Sequence, residues 1–455
     1  TNPKKLKLHV VITILIISIS GGVIISELSP VGMMQRHDSF QHDPVTDFLK
    51  GNLNNSRMFS FDWTLAPNFP AAYKISTLGI MSASNIGSFY SFNHNFLDKD
   101  AWTSNLGYPS WVQAYGLPNS ILKFFENKKY FDFLGVKYIL TEGYDLNSFT
   151  PGGSRTGTYK DINLNNNNTG QSFIAPTESI SGIGVSFGTY LKQNHGHVIL
   201  TIDSVPYDIK YHRESIINAE NILDAEFNEF KFTSPMTATL NKQFYLSLKY
   251  PESDDQNKIA VFYYGKNTDP NFFDVVKNNL QGQFYVDGMP VEEKELAFSI
   301  INTDIPAAFK FHDINIYENK DAYPRAYLVN KFHVADNGKA QDYLIQNPDF
   351  DLRGDVVLET QLPPEIVNQL KSSVQSDSSK ANIISYDTNK VIIHTTSDSS
   401  LLLILTDTYY PGWKALVDGK ETPIYRADGL VRSVFVPSGN HDVEFLYMPE
   451  SFVTG

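Results

Sequence analysis

The sequence predicts a mainly β protein that also contains a smaller α/β region and an N-terminal transmembrane helix. Short apolar or alternating stretches recur between Gly, Pro and Asn turn signals, which is typical of sandwiches built from short strands. The 31 Phe and 25 Tyr fit the enrichment of aromatic side chains in strands. A long uncharged run stands near the N-terminus. The total of 455 residues favours about three domains.

The composition excludes several classes of function. The formal net charge of −13 argues against a nucleic-acid partner, because phosphate backbones are held by clustered Lys and Arg. The chain has no cysteine, so disulfides, thiolate nucleophiles and zinc–thiolate sites are ruled out. We expect no cofactor and no metal.

Residues 1–28 are predicted to be a cytoplasmic tip followed by a transmembrane helix. The run Leu8–Ile25 carries no charge and as a helix would extend about 27 Å, close to one hydrocarbon core. Lys4, Lys5 and Lys7 precede it, so the positive-inside rule puts the N-terminus in the cytoplasm and the bulk of the chain outside the cell membrane. The lipid bilayer is therefore a predicted partner. A signal peptide is the alternative, but the run is long and no A-x-A-like site follows it.

Residues 29–150 are interpreted as a mixed α/β extracytoplasmic region. Arg57–Phe61 has strand composition. Asn119 or Ser120 can cap a helix with a broad apolar face, and Val136–Leu140 follows as a strand.

Residues 151–308 are predicted to form a β-sandwich that interrupts this region, which continues at residues 309–345. Short strands recur there without a long helix between them. The segment GQSFIAPTESISGIGVSFGTYLKQNHGHVILTI is similar to jelly-roll modules of carbohydrate-binding proteins. The predicted strands are Gly182–Thr189, Val198–Ile202, Phe227–Phe232, Phe244–Leu248, Ile259–Tyr264 and Ala297–Ile301.

The polar residues 346–380 are interpreted as a linker into a C-terminal antiparallel β-sandwich module at 381–455. Its first hairpin is expected to turn at Thr388-Asn389, and Leu401–Leu405 has the length of a buried strand. Asp418-Gly419 fits a two-residue type I′ turn, which needs positive φ at both positions.

The C-terminal motif TDTYYPGWKALVDGK and the closing VPSGNHDVEFLYMPESF resemble YfhO-type membrane proteins. RMFSFDWTLAPNFPAAY, FDFLGVKYIL and AYPRAYLV are similar to segments of the same family. The resemblance implies the C-terminal extracytoplasmic part of a GT-C glycosyltransferase-like protein, with a further membrane helix after Gly455. The catalytic acid of GT-C enzymes lies in an early loop between membrane helices. No such loop is identified here, so we expect no catalytic residue in this chain.

Three aromatic residues around the Pro411-Gly412 turn are the strongest binding candidates. Tyr409, Tyr410 and Trp413 could stack on sugar rings, although filling the edge of the β-core is the favoured reading. Asn54 and Asn167 stand in N-x-S/T sequons and are candidate glycosylation sites.

The histidines do not suggest a metal site. His37-Asp38 and His42-Asp43 lack a metal-ligand spacing and are interpreted as a hydrated linker. His195 and His197 are interpreted as solvated residues of a turn.

Two functions remain open at this point. In the first, the chain is the extracytoplasmic portion of a YfhO-like membrane protein that binds or positions a glycan or lipid-linked acceptor. In the second, it is a single-span cell-surface or accessory subunit whose stacked β-domains serve adhesion or envelope scaffolding, with membrane-protein partners.

Overall fold

The computed structural model describes residues 43–61, 65, 69–78, 87–98, 117–143, 145–149, 162–163, 169–265, 282–292, 294–374, 376 and 378–449. The predicted membrane span lies outside these ranges. Within them, no helix combines the length and the apolar character that a membrane crossing requires. The chain divides into two compact units, residues 1–47 and residues 48–455, and the account below concerns the second.

The described part is mainly β, as predicted, and its helices are short. The helix Leu117–Glu126 begins ahead of the predicted cap, with Pro118 in its first turn, where the missing N–H of proline costs nothing. The α-helices are Pro44–Asn52, Phe69–Ala72, Gly87–Phe92, Leu117–Glu126, Lys128–Phe133, Ala340–Gln346 and Pro364–Lys371, with a π-turn at Asn93–Leu97 and 3-10 turns at Ile209–Tyr211 and Ala219–Asn221.

A four-stranded sheet, here named the junction sheet, lies at the centre of the α/β region. Its order is Arg57–Ser60, Val136–Glu142, Ile314–Glu318 and Ala307–Phe311. The first pair is parallel and the others are antiparallel. The strands predicted at 57–61 and 136–140 are confirmed. The sheet therefore joins segments that are separated in sequence by the strands of residues 148–301.

Buried phenylalanines hold the helices of this region to the junction sheet. The Phe59 ring meets those of Phe61 and Phe131 at 5.2 and 5.1 Å, both edge to face. Phe124, from the helix Leu117–Glu126, meets Phe61 at 5.6 Å and Phe131 at 4.8 Å. All four side chains are fully buried. Because edge-to-face rings add to the burial of apolar area, this cluster stabilises the region.

Most of the described strands between residues 148 and 301 form two packed sheets, named the middle sandwich. Phe173 of one sheet contacts Phe298 of the other at 5.3 Å between ring centroids. The front sheet runs in the order Met289–Val291, Phe284–Val286, Thr169–Ile174, Gln243–Lys249, His197–Val205 and Arg213–Asn218. The back sheet runs in the order Ser148–Phe149, Phe298–Ile301, Ser179–Gly188, Ala260–Val261 and Ile162–Asn163, with Phe227–Thr237 also paired to Ser179–Gly188.

The six predicted strands of this stretch are all present, with one divided. The predicted strand 259–264 is interrupted at Phe262, and its second half, Tyr263–Gly265, pairs with Lys294–Leu296 instead. Alternation of buried and exposed side chains along His197–Val205 fixes which face of the front sheet is inside.

Residues 326–447 form the terminal sandwich, whose two sheets close on a second apolar cluster that includes Leu403, Val434 and Phe445. Its six-stranded sheet has the order Ala326–Val329, Leu401–Thr408, Val431–Val436, Tyr425–Ala427, Asp355–Leu358 and Lys331–Val334. Its five-stranded sheet has the order Lys380–Tyr386, Lys390–Ser397, Gly439–Tyr447, Trp413–Val417 and Lys420–Thr422.

Turn chemistry in the terminal sandwich agrees with the sequence prediction. Asp418 and Gly419 have φ of 50° and 76°, the positive pair that a type I′ turn requires. The predicted hairpin at Thr388-Asn389 joins Lys380–Tyr386 to Lys390–Ser397. Leu401–Leu405 is fully buried, as expected of a central strand.

The interpretation of residues 346–380 as a linker differs from the structure. This segment contributes the strand Asp355–Leu358 to the six-stranded sheet and then the helix Pro364–Lys371. Val356, Val357 and Leu358 are fully buried. Three consecutive buried side chains indicate a strand that is covered on both faces. The polar residues on either side of this short apolar run made the segment resemble a linker.

Candidate functional site

Charged side chains meet at a buried point where separate parts of the chain join, here named the Arg–Asp cluster. Arg57 opens the first strand of the junction sheet, and Arg325 directly precedes the first strand of the terminal sandwich. Asp407 and Arg432 lie on neighbouring strands of the six-stranded sheet, and Tyr386 ends a strand of the other sheet. The three arginines and the aspartate are each less than one-tenth exposed.

The carboxylate of Asp407 is the shared acceptor of the cluster. Its Oδ1 accepts from Arg57 Nη2 at 3.1 Å and from Arg325 Nε at 2.9 Å. Its Oδ2 accepts from Arg432 Nη2 at 2.9 Å and from the Tyr386 hydroxyl at 2.9 Å. Arg325 Nη2 also donates to the Tyr386 hydroxyl. Charge-assisted bonds of this kind are stronger than neutral ones, so the cluster fixes these segments together.

The surrounding charges decide the protonation of Asp407. Burial alone would raise its pKa, but Arg325, Arg432 and Arg57 outweigh burial and hold the pKa of Asp407 at about 2. Burial lowers the pKa of Arg57 to about 10, which still leaves that guanidinium charged at neutral pH. Asp407 is therefore an anion across the physiological range.

Three guanidiniums face one carboxylate, so the cluster contains excess positive charge. Carbonyl oxygens and aromatic faces compensate for it. Arg57 donates to the carbonyls of Leu134 and Thr406 at 2.5 and 2.7 Å. Arg325 stacks on the Tyr386 ring at 4.2 Å, and Arg432 stacks on the Trp413 ring at 4.0 Å. Each cation thus has a second partner besides Asp407.

The cluster brings together the sequence motifs that carry the family resemblance. Arg57 comes from RMFSF, the Leu134 carbonyl from FDFLGVKYIL, and Arg325 from AYPRAYLV. Thr406 and Asp407 come from TDTYYPGW. Arg57 Nη1 donates directly to the hydroxyl of Thr406, although the two residues are 349 positions apart in sequence.

The aromatic turn predicted as a sugar-stacking site is only partly exposed. The Trp413 ring contacts the Tyr447 ring at 5.3 Å in addition to the Arg432 guanidinium. Tyr409 is half-buried and its backbone N–H donates to the Leu430 carbonyl at 2.6 Å. Tyr410 is 45% exposed. The structure thus gives Trp413 packing contacts in the terminal sandwich, and sugar stacking at this turn stays a prediction.

The other sequence candidates fall in ordinary surroundings or outside the description. Asn54 is exposed in a turn with φ of 52°, and Asn167 lies outside the described residues, as do His37 and His42. His197 pairs with Glu252 at 3.3 Å, on the surface. In the described ranges, no group of three His, Asp or Glu side chains is arranged to hold a metal ion.

A second buried carboxyl, that of Asp428, has a raised pKa, whereas the pKa of Asp407 is lowered. Its Oδ1 accepts from the Val357 N–H at 2.9 Å, while its own N–H donates to the Val357 carbonyl at 2.7 Å. Burial raises the pKa of Asp428 to about 8, despite the Val357 hydrogen bond, which lowers it. At neutral pH this carboxyl is therefore mainly protonated.

Sequence reasoning missed the Arg–Asp cluster, although a signal was present. Asp407 follows the apolar run Leu401–Leu405, and Arg432 lies between the apolar Val431 and Val434. A charge within a strand that is otherwise buried requires a partner of opposite charge. Which arginines would reach Asp407 depends on the tertiary fold and could not be read from the spacing.

Much of the terminal sandwich lies within a stretch that is similar to a known protein family. Residues 359–455 match the model of a family described as bacterial membrane protein YfhO. The resemblance noted from the motifs is confirmed for this part of the chain, and the description supports a membrane protein. No curated protein matches the chain.

Two solved structures of the arabinofuranosyltransferase AftD from Mycobacteria show a distant likeness. One is 11% identical, covers 70% of this chain and 24% of that chain, and gives a TM-score of 0.17. The other, of the mutant R1389S, is 8% identical, covers 58% of this chain and 12% of that chain, and gives a TM-score of 0.15. The chain thus spans less than a quarter of the length of either structure.

Proposed function

We propose that this chain is the extracytoplasmic portion of a membrane-anchored YfhO-like protein of the GT-C class that binds or positions a glycan or lipid-linked acceptor. The observation that carries the proposal is the match of residues 359–455 to the YfhO family. The Arg–Asp cluster links Arg57, Leu134 and Arg325, which lie outside the matched residues, to Asp407 within them. These contacts support the extension of the family likeness to the junction sheet.

Strand pairing in the junction sheet supports a proposal for the domain organisation. We propose that residues 151–308 are a jelly-roll-like insertion into an α/β region formed by 29–150 and 309–345. The pairing of Ile314–Glu318 with Val136–Glu142 supports this. The first of these strands follows the middle sandwich in sequence and the second precedes it, so one sheet is built from both flanks. Insertions are tolerated where chain ends lie close together.

A glycan-binding test addresses the proposed activity. The full chain, in detergent, is presented with a panel of neutral oligosaccharides, a matched sulfated panel and a polyprenyl-phosphate-linked hexose in phospholipid nanodiscs. We expect saturable binding to at least one of these probes. Absence of binding to all three, with the chain shown to be folded by circular dichroism, would contradict the proposal and favour the adhesion or scaffolding subunit.

A further inference from the structure

We propose that the outer face of the front sheet of the middle sandwich is a binding site for a neutral glycan. This inference rests on the proposed function and names the surface that would perform it. The face is defined by strand register, because partners that lie opposite each other in an antiparallel sheet project to the same side.

One row of side chains crosses three strands of the front sheet and ends at the residue that precedes a fourth, Arg213–Asn218. Tyr245 lies opposite Ser172 on one side and opposite Asp203 on the other. Asp203 in turn pairs with His212, Oδ1 to Nδ1, at 2.7 Å. Their neighbours on the same strands, Phe244 and Ile202, are fully buried, so the row belongs to the outer face. Strands about 4.8 Å apart make the row from Ser172 to His212 about 14 Å wide.

The hydroxyl end of the Tyr245 ring lies over Gly170. A Cβ at position 170 would stand 2.0 Å from the Tyr245 hydroxyl oxygen and 2.4 Å from its Cζ. Glycine within a strand marks a place where another group approaches the backbone closely. Gly170 therefore leaves room for the Tyr245 ring, which is half-buried and partly exposed on the outer face.

A second tyrosine packs edge to face against Tyr245 at one end of the row. Tyr285 lies opposite Gly170 in register, and its ring meets the Tyr245 ring at 5.7 Å and 68°. Both tyrosines are half-buried. The two tyrosines together suit the C–H faces and the hydroxyls of a sugar ring, since each offers an apolar body and a polar tip.

The Asp203–His212 pair supplies polar groups on the same row. Their side chains are 32% and 39% exposed, so both the carboxylate and the imidazole remain within reach of solvent. A carboxylate accepts from more than one donor, which allows it to bind a sugar hydroxyl while it keeps His212. The Tyr207 ring, 63% exposed, lies 6.4 Å from the His212 ring and adds an aromatic surface at the other end.

Charge selects a neutral ligand over an anionic one. The outer face carries Asp203 and the exposed Glu214, which lies opposite Thr201, against the exposed Lys249, which lies opposite Ile199. The whole chain has a net charge of −13. Like charges repel at close range, so sulfated or carboxylated glycans are disfavoured here.

Two variants of the face and one distant variant test the site. Tyr245→Ala removes the ring that lies over Gly170. Thr201 is half-buried and lies two residues from Asp203 on the same strand and the same face. Thr201→Arg therefore adds bulk beside the row and removes no contact of Tyr245. Tyr410→Ala, in the terminal sandwich, removes the exposed tyrosine of the other aromatic candidate. All are made in the full chain and measured on the neutral and sulfated oligosaccharide panels.

We expect both face variants to weaken binding of the neutral oligosaccharide by about tenfold or more, and Tyr410→Ala to leave it unchanged. Thr201→Arg keeps the test decisive if Tyr245→Ala fails to fold. If the unmodified chain binds a glycan that neither face variant affects, the site is wrong while the proposed function stands. The site is also wrong if the sulfated panel binds more tightly. If the unmodified chain binds no glycan, both fail.

Discussion

Replacing Asp407 by Asn is expected to lower the free energy of unfolding by about 3–5 kcal/mol, because it leaves three buried arginines without their anion. The side-chain volume is unchanged, so the loss reports on charge. Urea unfolding of the full chain at pH 7, followed by circular dichroism, measures it through the shift in midpoint. Asp442→Asn is the matched control.

The control has the same chemistry at the surface. Asp442 pairs with His394 at 2.8 Å, but its side chain is 64% exposed. Exposed pairs contribute about 0–1 kcal/mol, so Asp442→Asn should leave the midpoint almost unchanged. An Asp407→Asn variant as stable as the control would show that the Arg–Asp cluster does not hold the segments together. A second replacement, Arg432→Met, should restore part of the loss, because it removes one of the uncompensated cations.

The cluster also predicts the direction of acid sensitivity. The pKa of Asp407 is about 2 in the folded chain, below the value of about 3.9 for an unfolded aspartate. Its stabilisation is therefore fully present above about pH 4 and is lost as the pH falls towards 2. Asp407→Asn should remove this component of the acid transition.

Replacing Asp428 by Asn is expected to stabilise the chain at pH 8 and to remove a loss of stability that the unmodified chain shows as pH rises. The folded pKa of about 8 lies above the unfolded value of about 3.9. Below about pH 4 the carboxyl is protonated in both the folded and the unfolded chain. Between about pH 4 and pH 8 only the unfolded chain releases the proton, so the free energy of unfolding falls as the pH rises through this range. At pH 8 the gain from Asn should be on the order of a few kcal/mol.

The geometry at Asp428 suits this substitution. Asn retains an oxygen for the Val357 N–H, and it tolerates the φ of 51° at this turn better than most residues. Urea midpoints at pH 5 and pH 8, for both proteins, measure the effect. Equal dependence on pH in the two proteins would contradict a buried, protonated Asp428.

Much of the terminal sandwich could be predicted from local sequence. Asp418-Gly419 requires positive φ, and Leu401–Leu405 is too apolar to be exposed, so the turn and the central strand follow directly. The strand at 355–358 could not be found in this way. Its hydrogen-bonded partners, the strands Lys331–Val334 and Tyr425–Ala427, are separated from it in sequence, so its pairing depends on the tertiary fold.

The two candidate sites were hidden for different reasons. The Arg–Asp cluster joins residues separated by up to 350 positions, so no spacing rule would identify it. The outer face depends on which strand lies beside which, since Tyr245 meets Asp203 and Ser172 only through register. Tyr245 is one of 25 tyrosines, and nothing local distinguishes it before Gly170 is placed beneath it.

We propose that the described residues lie outside the membrane while the N-terminus lies in the cytoplasm. The absence of cysteine makes a direct measurement available, because each single replacement introduces the only thiol of the chain. Val374, 71% exposed in the terminal sandwich, and Asn2, ahead of the predicted span, are replaced by Cys in separate variants. Both are expressed in bacterial cells and treated with a membrane-impermeant maleimide.

The cells are treated so that the maleimide reaches the outer side of the cytoplasmic membrane while that membrane stays intact. We expect Val374→Cys to be labelled under this condition. Asn2→Cys should be labelled only after the cytoplasmic membrane is opened. Labelling is read as the mass shift of the chain on a gel. Protection of Val374→Cys until the cytoplasmic membrane is opened would contradict an extracytoplasmic body, and with it the proposed encounter with a glycan or lipid-linked acceptor.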